Sequence, residues 1–506
     1  MAIEKTLFAA ADKMRGSMDP GEYKHVALGL LFLRYIGTAF ARKYDELLAE
    51  GEDVAEDRDE YMADGIFWVP EAARWRTLAA NAKDKAIGVQ VDNAMRAIEA
   101  ENEQLKGALP KVFGRESLDP SIVTGLIDLF SNIKFDGTPK DFDLIGRIYE
   151  YFISEFASNE GKRGGDFHTP KPVVELIVDM IEPMKGRLYE PCCGSGSFMV
   201  QSERFLEHHS GRRADLAVYG QERNHTTYGL ARMNLAIRGI VANIQWNAEG
   251  TLLRDAFPDE KFDFVMANPP FNISDWSGDI LSEDRRWKYG TPPVGNANFA
   301  WMQHIYDKLG STGIAGVVMA NGSMSSMSSG EGDIRRAMVE GGAVDAMIAL
   351  PGQLFYGTQI PACIWILAKD KSNGVAKDAK LRDRRGEVLF IDARKMGALV
   401  AGSRKQKELS REEIECIAAA YHAWRGEPDA GTYADEPGFC KAASMEEIAK
   451  HNFVLTPGRY VGAGAAEEDG EPFEEKFERL TAELRAQFAE GRRLEKEIEA
   501  RLENLV

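Results

Sequence analysis

Short apolar runs recur along the chain after about residue 161, with stretches of helical spacing between them, and before that point they do not. The runs at 187–190, 216–220, 242–245, 262–267, 314–319, 343–348 and 362–367 read as strands. Strands alternating with helices predict an α/β domain on a mostly parallel sheet. The first 150 residues carry helical spacing, notably around the apolar stretch 28–36 and over 86–106 and 119–131. Pro110, Gly114, Pro120 and Gly137-Thr138-Pro139 punctuate them. The change of pattern falls at Gly161-Lys162-Arg163-Gly164-Gly165. At the other end, 462–470 reads as a flexible acidic linker. After it Phe473, Phe477, Leu480, Leu484 and Phe488 recur every three or four residues, and Leu494, Ile498, Leu502 and Leu505 continue the stripe beyond Gly491. That is an amphipathic helical tail, which could fold back on its own chain or dock on a partner. The expected division is a helical part over 1–150, an α/β part over 151–461, and the linker and tail over 462–506. No solenoid-type repeat is present.

Composition narrows the class. A chain of 506 residues is too long for one ordinary core. Its 44% apolar and 28% charged residues suit a soluble globular protein. No apolar run is long enough to span a bilayer, and the start lacks a basic segment followed by an apolar one. A cytoplasmic protein without a membrane segment is the expectation. The five cysteines form no Cys-x-x-Cys pair, so reduced, buried thiols are expected and no metal site. The formal net charge of −18 speaks against a protein that grips DNA unaided.

Two segments of the α/β part carry ligand chemistry. Glu190-Pro191-Cys192-Cys193-Gly194-Ser195-Gly196 follows a strand and opens a helix. Glycines there let the backbone turn tightly and approach a ligand. A plain strand–helix turn would read the same. One β-α-β unit later a strand ends in Glu222, whose carboxylate could accept from both hydroxyls of a ribose, or stand solvated. Upstream, Asp166-Phe167-His168-Thr169-Pro170-Lys171 leads into a helix, with Thr169 as its expected cap. Such a loop could also cover a ligand.

The sharpest signal is Asn268-Pro269-Pro270-Phe271, directly after the strand at 262–267. The N6 amine of adenine is a poor nucleophile, because its lone pair is delocalised into the ring. An Asn268 side-chain oxygen and the Pro269 carbonyl could each accept a hydrogen bond from it. They would favour a pyramidal nitrogen and stabilise the charge that develops. Pro269 and Pro270 stiffen the backbone that presents these acceptors. Phe271 offers a face on which a flipped base could stack.

These residues together resemble the amino-methyltransferases acting on DNA, with the cofactor turn before the catalytic motif. The chain is most similar to the modification subunits of type I restriction–modification systems. Asp284-Arg285-Arg286-Trp287-Lys288-Tyr289-Gly290, Asn296-Ala297-Asn298-Phe299 and Phe453-Val454-Leu455-Thr456-Pro457-Gly458-Arg459-Tyr460 extend the likeness over nearly the whole chain. Glu190 stands where that family usually has Asp, and His168 where it has Tyr. Glu249 is displaced by one position from the acid expected near the cofactor's adenine.

The resemblance implies a Rossmann-like S-adenosylmethionine-dependent methyltransferase sheet with a helical N-terminal domain and a helical tail. It implies S-adenosyl-L-methionine held by Asp166 through Lys171, Glu190, Gly194, Ser195, Gly196 and Glu222. It implies adenine N6 methylation at Asn268, Pro269, Pro270 and Phe271 without a metal. The implied partners are double-stranded DNA with a flipped adenine, a separate specificity subunit joined by two copies of this chain, and a restriction subunit. A self-sufficient adenine methyltransferase would need a target-recognition domain, for which only 272–297 and the basic stretch 380–385 are left over. An inactive scaffold, or a methyltransferase acting on protein or RNA, would not need the extended motifs.

Overall fold

The computed structural model describes residues 2–463 apart from 17, 134–138, 161–168, 210, 213–214, 356–360, 373–374, 377–378, 401–402 and 404–405, and in the tail 481–482, 485, 487–489 and 491–495. Residues Met1–Val461 form one compact unit and Gly462–Val506 another. In the second unit the described residues from 481 onward are helical, with Phe488 and Leu494 exposed. Phe473, Phe477, Leu480, Leu484, Ile498, Leu502 and Leu505 lie outside the described residues.

The first unit begins with helices. Pro20–Leu48 starts behind Asp19, whose side chain accepts from the Gly21 amide at 2.8 Å, and it buries Val26 through Leu33 without a break. Ile87–Glu101 and Pro120–Ser131 follow, the latter capped by Asp119. Pro139–Glu160 packs on Pro20–Leu48. Their core includes Leu230, Met233 and Ile237 of the helix His225–Ile237, so the helical region shares its interior with the α/β region.

The α/β region is built on nine strands: β1 Gly186–Glu190, β2 Leu216–Glu222, β3 Ala242–Trp246, β4 Phe262–Ala267, β5 Leu309–Ala320, β6 Val344–Ala349, β7 Ala362–Ala368, β8 Glu387–Asp392 and β9 Cys440–Ser444. Their order is β9-β8-β6-β7-β5-β4-β1-β2-β3. The sequence pattern predicted a mostly parallel sheet; β7 runs antiparallel to both β5 and β6, and β9 antiparallel to β8. The other pairings are parallel, so the sheet is mixed with a parallel majority. Apolar side chains cover both faces, which is why β6 and β7 read as continuous apolar runs rather than alternating ones. Lys171–Ile181, Ser197–His208 and Arg411–Arg425 lie on one face, and Asn298–Lys308 and Glu331–Glu340 on the other.

Three of the five thiols, Cys193, Cys363 and Cys440, are buried as expected; Cys192 is half-buried and Cys416 exposed. No helix among the described residues is long and apolar enough to cross a membrane.

Helix Lys171–Ile181 meets β5 closely at Gly316. A Cβ there would stand 2.5 Å from Ile177 Cγ2 and 2.8 Å from Ile181 Cδ1. Gly316→Val should therefore lift the helix and lower stability by about 1–3 kcal/mol. Urea unfolding of variant and parent checks this; equal midpoints and slopes would show that the packing tolerates the bulk.

Candidate functional site

Strand order reverses beside β1. The chain runs from β1 outward through β2 to β3, then returns to place β4 on the other side of β1. The carboxyl ends of strands flanking such a reversal border a crevice, and ligands of α/β sheets bind there. Three of the segments singled out in the sequence leave the sheet at this edge: the turn after β1, Glu222 at the end of β2, and Asn268 after β4.

The turn after β1 needs its glycines. Gly194 and Gly196 have φ of +55° and +77°, a region that side chains with a Cβ avoid. No atom lies within 4 Å of the Cβ position of Gly194, so the space over it is open. The turn is tied to β2: the Cys193 amide donates to the Gln221 carbonyl at 2.9 Å, and the Gly194 amide to Glu222 Oε2 at 3.0 Å. Glu222 Oε1 accepts from the Asn224 amide at 2.7 Å. Both carboxylate oxygens are thus oriented by backbone, and each has further acceptor capacity.

Glu190 lies under the turn and is 2% exposed. Burial pushes its carboxyl well above the usual carboxylate range, the Phe198 and Met199 amides oppose that shift, and the charge of Glu222 adds to it. Its Oε2 has no hydrogen-bond partner, as suits a protonated group in an apolar setting.

Thr169 departs from the role its position suggested. The helix Lys171–Ile181 has Pro170 as its N-cap and no side-chain cap. The sequence pattern of threonine before proline resembles a cap, but the Thr169 hydroxyl turns across the sheet edge and accepts from Asn268 Nδ2 at 2.9 Å. Thr169 also lines a small cavity with Ser195, Ser197, Asn234, Lys171 and Glu150, which brings the upstream loop and the glycine turn together. Lys171 is exposed and pairs with Glu175 at 3.4 Å. Asp166, Phe167 and His168 lie outside the described residues.

After β4, Pro269 is buried while Asn268, Pro270 and Phe271 are half-buried. Phe271 meets Phe355 edge-on, with ring centroids 6.2 Å apart. Asn272 follows in a left-handed conformation, φ +55°. Asn298 holds it there: its Oδ1 accepts from the Asn272 amide at 3.0 Å, and its Nδ2 donates to Asn272 Oδ1 at 2.8 Å. Glu249 is exposed and paired with Arg254 at 3.3 Å.

Several supporting residues escaped the reading of the sequence. Asn234 Nδ2 donates to the Ser195 carbonyl at 2.7 Å, and its Oδ1 accepts from Arg238. Arg238 also donates to the Gly146 carbonyl at 2.9 Å and reaches Glu150 at 3.3 Å. Arg204 donates to Glu150 at 2.7 Å. Burial works to raise Glu150, but Arg204 and Arg238 overcome it and hold its carboxyl below the usual range. Helix Pro139–Glu160 is thereby wired to the glycine turn. The one available signal was an Asn and an Arg four apart on one helix, at a spacing that also fits an ordinary exposed face. Phe355 follows β6 as Phe271 follows β4, a parallel visible only once β6 and β4 are known to share an edge.

A model of the family described as N-6 DNA Methylase matches residues 140–469. The chain belongs to that family. A second model, the HsdM N-terminal domain, matches residues 3–130 of this methylase. It is 44% identical over 458 residues to the type I restriction enzyme HindI methylase subunit of Haemophilus influenzae, a match covering 86% of this chain and 99% of the relative. It is 36% identical to the type I restriction enzyme MjaIX methylase subunit of Methanocaldococcus jannaschii, over 99% of this chain and 91% of the relative. It is also similar to the crystal structure of the type I restriction-modification system methyltransferase subunit from Streptococcus thermophilus, with a TM-score of 0.74 and 26% identity, over 91% of this chain and 99% of that one. The protein is an adenine-specific DNA methyltransferase of the type I methylase-subunit family, as its motifs implied.

The buried carboxyl under the turn makes a pH prediction for this methylase. A carboxyl with a raised folded-state value stabilises the fold below its unfolded value, about 4.3, and that contribution is lost as pH rises through the folded value. Glu190→Gln keeps the neutral shape and removes the titration. Unfolding midpoints measured from pH 4 upward should show the parent losing stability relative to the variant. Parallel curves would mean that Glu190 ionises normally.

Proposed function

We propose that the chain methylates the N6 amine of adenine with S-adenosyl-L-methionine at the sheet edge, as the modification subunit of a type I restriction–modification complex. The observation that carries this reading is the hydrogen bond from Asn268 Nδ2 to Thr169, which joins the Asn-Pro-Pro-Phe segment to the loop bordering the glycine turn. The proposed division of labour along the chain is 1–150, 151–461 and 462–506.

The residues fit the cofactor. Open space over Gly194 suits close backbone approach by a ligand. Glu222 offers two oriented oxygens to the two hydroxyls of a ribose. The cavity beside Ser195 and Thr169 carries Lys171 and Glu150, charges of both signs for an amino-acid end. Asp166, Phe167, His168 and Pro170 complete the loop in this proposal, and Glu190 supports the turn from below. When bound, the cofactor supplies an electrophilic methyl on a sulfonium, already a good leaving group, so the reaction needs no metal.

The protein's share of the chemistry is positioning and charge stabilisation. Asn268 Oδ1 and the Pro269 carbonyl accept from the adenine amine, which would develop positive charge as its nitrogen bonds to the methyl carbon and the carbon–sulfur bond breaks to leave a neutral thioether; the surplus amine proton would then pass to solvent. Pro270 fixes the direction of the chain, and Phe271, braced by Phe355, stacks on a base flipped out of the duplex. Flipping costs a few kcal/mol. With a net charge of −18, this chain relies on a specificity subunit for most phosphate contacts and for sequence readout. Two copies of this chain per specificity subunit, a restriction subunit in the full complex, docking through the tail and a cytoplasmic location are parts of the same proposal.

Two experiments test it. Asn268→Ala should lower methyl transfer by about 10²-fold or more while the dissociation constant of S-adenosyl-L-methionine stays within a few-fold; calorimetry beside a methylation assay reads both, and an unchanged rate would remove Asn268 from the chemistry. Deleting 467–506 should leave cofactor binding intact and abolish co-elution with the specificity subunit. A truncated chain that still assembles and methylates normally would show that docking lies elsewhere.

A further inference from the structure

We infer that Thr169 is a positioning residue for the catalytic amide: its hydroxyl oxygen holds Asn268 Nδ2 and so fixes which end of the Asn268 side chain meets the adenine. The inference deepens the proposed function and rests on the role assigned there to Asn268. A primary amide has a donor end and an acceptor end of nearly identical shape. Methylation of an amine requires the acceptor. Presented the other way round, Asn268 would aim N–H groups at the nitrogen that is gaining positive charge, which is repulsive. Two prolines hold the backbone of the segment, but neither one settles rotation about the final side-chain bond, which is broad and roughly two-fold.

The Thr169 contact settles it. A threonine hydroxyl could serve either end of the amide, and in this structure the end it meets is the nitrogen, so the hydroxyl is the acceptor. Its oxygen lies 2.9 Å from Nδ2. Thr169 is 8% exposed, so water competes little for the bond. Its backbone is rigid, because the Pro170 carbonyl that follows accepts from the Val173 amide at 2.9 Å and from the Val174 amide at 3.1 Å, starting the helix at once. That helix is seated on β5 at Gly316, the strand beside β4. The donor and acceptor of this bond are therefore carried by neighbouring, well-packed elements, although 99 residues separate them in sequence.

The alternative role for Thr169 is a direct ligand of the cofactor, and the two roles separate in kinetics. The test uses the full chain assembled with its specificity subunit, unmodified genomic DNA as methyl acceptor, and S-adenosyl-L-methionine as titrant. Thr169→Val keeps the shape and removes the hydroxyl. It should lower kcat about ten- to a hundred-fold, the scale of a misplaced reacting group, with the cofactor dissociation constant changed less than twofold. Thr169→Ser restores the oxygen and should recover most of kcat, which a merely space-filling role would not predict. Thr169→Ala reads the same two quantities if the valine variant fails to fold. A raised cofactor dissociation constant with full kcat at saturation would overturn the inference in favour of a cofactor ligand, as would an unchanged kcat. Asn268→Ala run in parallel separates the two levels. If it is inactive while Thr169→Val is fully active, the positioning role fails alone; if it is fully active, the catalytic role of Asn268 and this inference fail together.

Discussion

Leu188 pairs with Phe264 and Tyr189 with Val265, so β1 and β4 run side by side and in parallel although two β-α units separate them in the chain. The site depends on this pairing. Parallel neighbours deliver their carboxyl ends to the same edge, and right-handed crossovers put the connecting helices on the faces, out of the way. The turn that begins at Pro191 and the segment that begins at Asn268 then have no choice but to meet. Glu222 arrives by the same logic, since β2 pairs with β1 over five residues. Burial of Leu216, Val218 and Gly220 along β2, and of the carboxyl halves of β1 and β4, sets the register.

The edge so formed is preorganised mainly by hydrogen bonds from backbone and amide groups. Gly194 and Cys193 donate to the end of β2, Asn298 locks Asn272, and Asn234 holds Ser195. Neutral amides suit this task. They satisfy buried backbone groups without the desolvation cost of a charge. Where charge is used, as at Glu150 between Arg204 and Arg238, it is paired on both sides and joins the helical region to the glycine turn.

Much of this was legible in the sequence, for physical reasons. The strands that form the site are apolar runs bounded by turn residues, and β4 falls on the residues expected, 262–267. The glycine turn and Asn-Pro-Pro-Phe are constrained by local backbone geometry, so they leave local traces. What was hidden is non-local. The antiparallel orientation of β7 is one such feature, because apolar periodicity gives the position of a strand and not its direction. β8 was not among the expected strands although Val388-Leu389-Phe390-Ile391 is a strand-like apolar run, whereas β9 has the weakly strand-forming sequence Cys-Lys-Ala-Ala-Ser and does not stand out until the sheet beside it exists. Thr169 reads as a cap because capping is local, while its partner is not.

The charge problem that the sequence raised carries over into the fold. Arg335 is fully buried and donates to the Phe453 and Ser326 carbonyls, anchoring the segment at 453–460. Arg286 is spent on Asp284 and the Leu252 carbonyl, beneath the loop that follows the catalytic segment. Arg384 pairs with Asp345, and Lys371 donates to the Val344 and Glu387 carbonyls. Arg384 and Lys371 belong to, or adjoin, the basic stretch left over for DNA contact, and both are buried. Cations committed to the interior release no counterions from a duplex, so the positive charge available at the surface is smaller than the composition suggests. Buried acids such as Asp92, Asp179, Glu203 and Asp345 are withdrawn from the surface as well, so the exterior keeps the acidic balance of the whole chain. A methyltransferase with this balance of charge presents a predominantly acidic exterior to a polyanionic duplex, which is the physical reason for assigning the phosphate contacts to a partner in the proposed function.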